Sequence, residues 1–433
     1  MNVAVYVSIL LIFLFGAWRS PPSCVSALYC LFPLKQLGQS SVASLQVHSW
    51  LTNVFVGLIV VLALFRSWST LRQHLRIGAA AYVLAASIYA YALCSTTWTL
   101  AQDDALQNWS AAWPYIVTSV LLTPLAISDV REMRIALRWL IWTGGLICLV
   151  LLVGGDWGSR GLLIIGNDGE FESNPLAISA TAGTVVIVAL IRGPTSKNWI
   201  ETLAAIIAGV SAIFLTIRSG SRGELIAAIV AVLAVAPMRF SLTKLRDLVA
   251  IVAVFSVLAV GLVVGMSHYM AGGDARWTSS TLATDAAGRL DMAFKLLDRW
   301  SQSGSAILFG LGNSASFDSR VVGFYPHVMP IEILGEEGVI GFSLFVGLLI
   351  ITIRSGFAAL KSAADRPLDR DTIAASVALV LFALIVSSKQ GNLLGNYMLF
   401  TSMIIVCRIS TNPGKSSKPV KMNRPNAFSN LMT

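Results

Sequence analysis

The chain is dominated by apolar blocks without charge that alternate with short polar connections. Two of these blocks, Ser110 to Ser128 and Leu248 to Gly273, contain no Asp, Glu, Lys or Arg. A helix needs about 20 apolar residues to cross a bilayer, so each block is a candidate transmembrane helix. Charged residues make up 12% of the chain, against about a quarter in a soluble domain. The sequence therefore predicts an all-α, polytopic integral membrane protein whose helices contact the lipid bilayer.

The charge-free runs predict about 12 transmembrane helices, or 13 if the first two runs cross separately. Pro21, Pro22 and Pro33 interrupt these first two runs, which form either one broken crossing or two. The runs lie at 3–18, 22–34, 51–65, 77–94, 110–128, 139–154, 174–191, 202–217, 225–238, 248–266, 338–353, 372–388 and 392–407.

The connections between the runs alternate between a basic set and an acidic or neutral set from residue 66 onward. Short cytoplasmic loops accumulate Lys and Arg, so the basic set and the C-terminus are predicted to face the cytoplasm. The basic set includes the loops near 66–76, 129–138 and 354–370, and the outward set includes those near 95–109, 155–173 and 267–328.

One membrane domain is expected over residues 1–409, with the large outward loop at 267–328 inside it. Loops of this length are commonly functional. Within this loop, apolar residues recur at helical spacing from Asp285 to Trp300, which predicts a helix along the membrane interface. The tail at 410–433 is rich in Ser, Pro, Asn and Lys and is expected to be disordered.

The basic excess does not indicate a nucleic-acid partner. The formal net charge is +9, but the basic residues lie between apolar blocks and not in one stripe. The outward loops contain no Asp-x-Asp and no histidine cluster with the spacing of metal ligands. We therefore expect neither a metal ion nor another cofactor.

The stretch from Tyr325 to Gly341 places His327 at the end of the large outward loop, directly before a helix. Glu332 and Glu336 lie four residues apart on one face of that helix. A neutral imidazole can take a proton from a sugar hydroxyl, and a nearby carboxylate can orient the imidazole. The alternative is an interfacial histidine, with glutamates at the point where the helix emerges into water.

A second outward connection carries Arg218 and Arg222, with Ser-Gly-Ser between them. Guanidinium groups match phosphate oxygens, and Gly and Ser allow a close approach of the backbone, so this connection suits a pyrophosphate. The alternative is an anchor for the topology, or a salt bridge with Glu224. Arginines placed outward, against the topological preference, are candidates for function.

In order along the chain, these features resemble the O-antigen ligase and O-antigen polymerase superfamily of bacterial membrane glycosyltransferases. The resemblance covers about residues 155–400. One departure is Val328, where the family commonly has a small polar residue after its histidine. The residues that carry the resemblance are Ser221-Arg222-Gly223, Gly288-Arg289, Phe309-Gly-Leu-Gly-Asn313, and His327 with Glu336, Gly338 and Gly341.

The resemblance implies transfer of an oligo- or polysaccharide from undecaprenyl diphosphate to a sugar hydroxyl at the periplasmic face of the bacterial inner membrane. The acceptor would be lipid A-core for a ligase, or another lipid-linked repeat unit for a polymerase, and the sequence does not separate the two. Two cationic side chains stabilise a departing diphosphate without a divalent cation. The implied roles are general base for His327, diphosphate binding for Arg222 and Arg289 with Arg218 assisting, and support from Arg160, Glu332 and Glu336.

The alternative from another class is a polytopic transporter or flippase for lipid-linked glycans. Such a protein would place ionisable residues near the midplane of the membrane or show inverted repeats. In this chain the membrane segments are almost free of charge, and polar residues gather in the outward loops. The distribution favours an enzyme.

Overall fold

The computed structural model describes residues 3–69, 75–157, 162–166, 169–172, 175–192, 198–239, 263, 267 and 279–411. Almost all regular structure in these residues is helical, in agreement with a membrane protein. Apart from residue 263, the run predicted at 248–266 lies outside the described residues, as do Arg160 and 412–433. Within the described ranges, five helices are long and apolar enough to cross a membrane: Val130–Gly154, Pro175–Arg192, Trp199–Arg218, Met329–Ser362 and Pro367–Ser387.

The number of crossings stays a prediction, because four further apolar helices among the described residues have only 10–17 residues. In chain order the described helices are α1 Val3–Arg19, α2 Cys24–Tyr29, α3 Leu31–Ser41, α4 Ala43–Val47, α5 Trp50–Arg66, α6 Ala79–Ser95, α7 Gln102–Tyr115, α8 Val130–Gly154, α9 Pro175–Arg192, α10 Trp199–Arg218, α11 Arg222–Arg239, α12 Ser279–Ser301, α13 Gly304–Phe309, α14 Met329–Ser362, α15 Pro367–Ser387 and α16 Tyr397–Thr411.

Several boundaries differ from the charge-free runs. The run predicted at 110–128 is part of a longer broken helix, in which α7 continues into a π-helical segment, Ile116–Leu122, and a 3₁₀ turn, Thr123–Ala126. Pro114 and Pro124 lie in this stretch and each remove a backbone donor, which accounts for the irregular turns. The last described helix reaches Thr411, two residues beyond the predicted end of the membrane domain at residue 409.

The outward segment predicted at 155–173 contains a hairpin that the all-α prediction did not include. Strands β1, Leu163–Gly166, and β2, Gly169–Glu172, pair antiparallel with Leu163 opposite Glu172. Trp157 forms an isolated bridge with Leu162 just before the hairpin. Charge and length alone predicted only a loop here, because four-residue strands give too short an alternation to be recognised.

Residues 3–41 form two passes alongside α5. The Tyr6 hydroxyl lies 3.1 Å from the Thr52 hydroxyl, and the Arg66 guanidinium lies 4.7 Å from the Trp18 ring. Thus α1 and α5 run in the same direction. The intervening α2 and α3 return, since Gly38 packs against the Tyr6 ring. These two passes are antiparallel, and whether they cross the membrane once or twice stays a prediction.

Residues of the loops predicted to be cytoplasmic contact one another. Arg134 forms a salt bridge with Asp369, and Arg138 forms one with Glu201. The basic segment near 129–138 is the start of α8 and not a loop, because the Asp129 side chain caps the helix by accepting from the Glu132 amide at 2.8 Å.

Residues of the predicted outward loops meet in the same way at the other end. The Asn313 amide donates to the Ser95 hydroxyl at 2.9 Å, and the Asn108 side chain donates to the Ser314 hydroxyl at 3.1 Å. We call this the outer end, after the predicted topology. The two sets of loops therefore separate as the alternation of charge requires, and the assignment of one end to the cytoplasm stays a prediction.

Candidate functional site

His327 lies at the outer end, directly before α14. Its φ of 60° is in the left-handed region, which a non-glycine residue adopts only when its surroundings hold it there. The imidazole centroid is 4.1 Å from that of the Tyr325 ring and 5.4 Å from that of the Phe324 ring. The side chain is half-buried, so these rings fix its position and leave part of it accessible.

Arg289, on α12, lies close enough to act on this histidine electrostatically. Burial lowers the pKa of His327, and the positive charge of Arg289 lowers it further. The pKa of Tyr325 responds to the same arginine: burial and the nearby Glu332 raise it, and Arg289 lowers it. The imidazole is therefore neutral near pH 7, which is the form that accepts a proton.

Lys389 joins Arg289 to the start of α11. Arg289 Nη1 donates to the Lys389 carbonyl at 3.1 Å, and Lys389 Nζ lies 3.0 Å from Glu224 Oε2, which is fully buried. The lysine side chain packs so tightly on Gly223 that a Cβ there would lie 2.2 Å from Nζ. Arg222 is the first residue of the same helix. The start of α11, where Arg222 stands, and Arg289 thus both contact Lys389, a residue that sequence analysis did not single out, and Arg289 acts electrostatically on His327.

A signal for Lys389 was present in the sequence. It lies between two charge-free runs, in a connection that the topology places outside, where Lys and Arg are disfavoured. The same criterion identified Arg222 and Arg289. Tyr325 lies in the same stretch as His327, and the sequence alone indicated no role for it.

The glycines of the histidine stretch shape the backbone beside the site. Helix α14 is interrupted at Gly338, where φ is 64° and ψ is −168°. The Gly335 and Glu336 carbonyls accept hydrogen bonds from the amides of Leu311 and Gly312, at 3.0 and 2.9 Å. The glycine-rich segment before the histidine therefore packs on the broken turn of α14.

Glu336 stabilises this segment and does not bind the histidine. Its two carboxylate oxygens accept from the amides of Ser314 and Ser316, at 2.7 and 3.0 Å. The neighbouring Glu337 accepts from the Asn313 side chain at 3.1 Å. Support of His327 by Glu336 therefore stays a prediction, because spacing along a helix does not show which distant loop covers that face.

Glu332 has a similar position on the other side of the site. Its Oε1 accepts from the Leu393 amide at 3.0 Å, which ties α14 to the connection that carries Lys389. Glu332 is buried, and no hydrogen bond joins it to His327 in the described part of the chain. Glu332 acts electrostatically on Tyr325, and its support for the histidine stays a prediction.

The Arg218 side chain contacts the end of α8 and the segment just before the hairpin. Its Nη1 donates to the Leu152 carbonyl at 3.3 Å, and its guanidinium lies 5.6 Å from the Trp157 ring. Helix α10 ends at Arg218, and Gly220, with φ of 69°, turns the chain before α11. Arg218 therefore lies at the end of α8, near the hairpin, and its assistance to Arg222 stays a prediction. Arg160 was predicted to lie in the same outward segment.

The helix expected over 285–300 is present as α12. Ala293 and Leu296 are buried, and Leu296 packs on Gly335 of α14, whereas Leu290 and Phe294 are exposed. The helix thus holds Arg289 against the site with one face and leaves an apolar face uncovered by protein. Its place along the membrane interface stays a prediction.

In the part of the chain that the structure describes, no three His, Cys, Asp or Glu side chains are arranged to hold a metal ion. No family model matches the sequence, and a search of curated proteins finds no match.

Proposed function

We propose that this protein is a membrane glycosyltransferase of the O-antigen ligase type. It transfers an oligo- or polysaccharide from undecaprenyl diphosphate to a sugar hydroxyl at the periplasmic face. The observation that carries the proposal is the position of Arg289, which acts electrostatically on His327 and donates to the backbone of Lys389. A neutral base beside a cation suits transfer from a diphosphate donor, and Lys389 links this cation to the start of α11, which carries Arg222.

The reaction needs a base for the acceptor. His327 takes the proton of the acceptor hydroxyl as its oxygen bonds to the anomeric carbon of the donor sugar. The bond from that carbon to the diphosphate oxygen breaks at the same time, and undecaprenyl diphosphate leaves with the electron pair. The lowered pKa of His327 keeps the imidazole able to accept this proton.

The leaving group needs positive charge. Arg289 presents a guanidinium, and Arg222 stands at the first turn of α11, where the helix dipole adds positive potential. The Ser221 hydroxyl beside it is buried without a hydrogen-bond partner among the described residues. Lys389 is paired with Glu224, so its contribution is to position the other two cations.

The proposal is tested with purified protein in proteoliposomes that contain undecaprenyl-diphosphate-linked repeat units. Added lipid A-core should become glycosylated if the protein is a ligase, and longer lipid-linked chains should form without it if the protein is a polymerase. Deletion of the gene should correspondingly remove all chains from lipid A-core or leave a single capped repeat. Movement of donor across the bilayer without any new glycosidic bond would support a flippase instead.

A further inference from the structure

A cavity of about 460 Å³ opens beside the site. This volume lies within the range of roughly 300–1,000 Å³ that is typical of ligand pockets. Helices α2, α9, α15 and α16 contribute to its walls. Most of the lining is apolar, including Leu28, Leu176, Leu379, Phe382 and Met398. Such walls accept an aliphatic chain.

The lining of the cavity also contains polar side chains, among them Lys35, Gln390, Asn396 and Tyr325. Tyr325 is also the residue whose ring lies 4.1 Å from that of His327. Tyr325 therefore forms a wall that the cavity shares with the proposed reaction centre.

Lys35, on α3, differs from the other lysines with described contacts. Lys389 pairs with Glu224, and Lys295 pairs with Asp291. Lys35 is half-buried and has no carboxylate within ion-pair distance among the described residues. An anionic ligand in the cavity would supply the missing counter-charge.

We propose that this cavity holds the first isoprene units of the lipid-linked donor and that Lys35 binds a phosphate oxygen of its diphosphate. This inference rests on the proposed function, because it assigns the donor to that same site. A diphosphate with an aliphatic chain complements both the charge of Lys35 and the apolar walls. The shared wall at Tyr325 would place the phosphate next to the transferred sugar.

The test measures binding of radiolabelled geranylgeranyl diphosphate to the full-length protein in nanodiscs of phosphatidylcholine. Lys35→Gln should weaken binding roughly tenfold or more, as expected for the loss of a hydrogen bond between charged groups. Lys35→Arg should restore most of it. The matched control is Lys361→Gln, an exposed lysine at the other end, which should bind like the wild type.

Geranylgeraniol has the same isoprenoid chain but no phosphate, so its binding reports the contribution of the chain alone. It should bind the wild type and Lys35→Gln equally, which also shows that the variant is folded. Ala383→Trp, which fills the cavity, should reduce binding of both compounds. Equal diphosphate affinity for Lys35→Gln and Lys361→Gln would overturn the role of Lys35. Displacement by phosphatidylglycerol as effective as by unlabelled diphosphate would overturn the assignment in favour of a bilayer lipid.

The two proposals fail in different ways. If diphosphate binding depends on Lys35 but no transfer occurs, the proposed glycosyltransferase activity is refuted and the binding site stands. If transfer occurs but the affinity for the diphosphate does not depend on Lys35, only the proposed role of Lys35 is refuted.

Discussion

Replacement of Gly338 by Ala should strongly destabilise the protein. The φ and ψ of this residue lie in a region that is essentially restricted to glycine, and a side chain there costs about 1–3 kcal/mol. A Cβ would also lie 2.4 Å from the Gly310 nitrogen and 2.5 Å from the Leu308 oxygen. Both are backbone atoms that cannot rotate away, and such overpacking costs roughly another 1–3 kcal/mol. The expected loss is about 2–6 kcal/mol.

The matched control is Gly347→Ala, farther along the same helix. A Cβ at Gly347 meets only the Leu84 side chain, at 3.9 Å, and the residue is helical. Removal of a helical glycine stabilises by roughly 0.5–1 kcal/mol, so this variant should be neutral or slightly more stable. Unfolding of both variants in detergent, followed by tryptophan fluorescence, gives the comparison. Equal stability of the two would refute the broken turn at Gly338 and its packing on the glycine-rich segment.

Three further predictions concern the site and its orientation. Arg222→Lys or Arg289→Lys should lower the rate of transfer at least about tenfold, because lysine lacks the planar guanidinium. Arg299→Ala should lower the rate much less, and equal losses at all three positions would indicate a folding effect. The acid limb of the pH profile of kcat/KM should lie below the ordinary histidine pKa of about 6.5, because the pKa of His327 is lowered. Arg289→Gln should shift this limb to higher pH, and an unchanged limb would show that Arg289 does not act on His327. Phosphatase fusions at residue 303 should be active and fluorescent-protein fusions at residue 364 should fluoresce; the reverse would invert the topology.

Sequence reasoning identified the helices well where charge-free runs were long. The runs near α9 and α10 agree with the structure to within a few residues at each end. At α8 the charged first turns were read as a loop, because pairs such as Arg134 with Asp369 lie far apart in the sequence. Charge-free runs report lipid-facing and buried segments, and they cannot report a helix that continues into the polar region.

Sequence analysis identified most residues of the candidate site but not the contacts between them. The start of α11 and Arg289 both contact Lys389, which was missed, and Arg289 acts electrostatically on His327. Glu336 lies on the expected face of α14 but binds the segment folded over it. Helical periodicity gives the face of a residue, and only tertiary structure shows what packs against that face.

The measurement that tests the account most directly is transfer by His327→Ala in proteoliposomes with purified donor and acceptor. General-base assistance typically contributes about two to four orders of magnitude in rate, so turnover should fall by that factor while donor binding persists. His48→Ala, at an exposed histidine outside the site, should transfer at the wild-type rate. Near-normal turnover of His327→Ala would contradict the account and leave His327 as a structural residue of the outer loop.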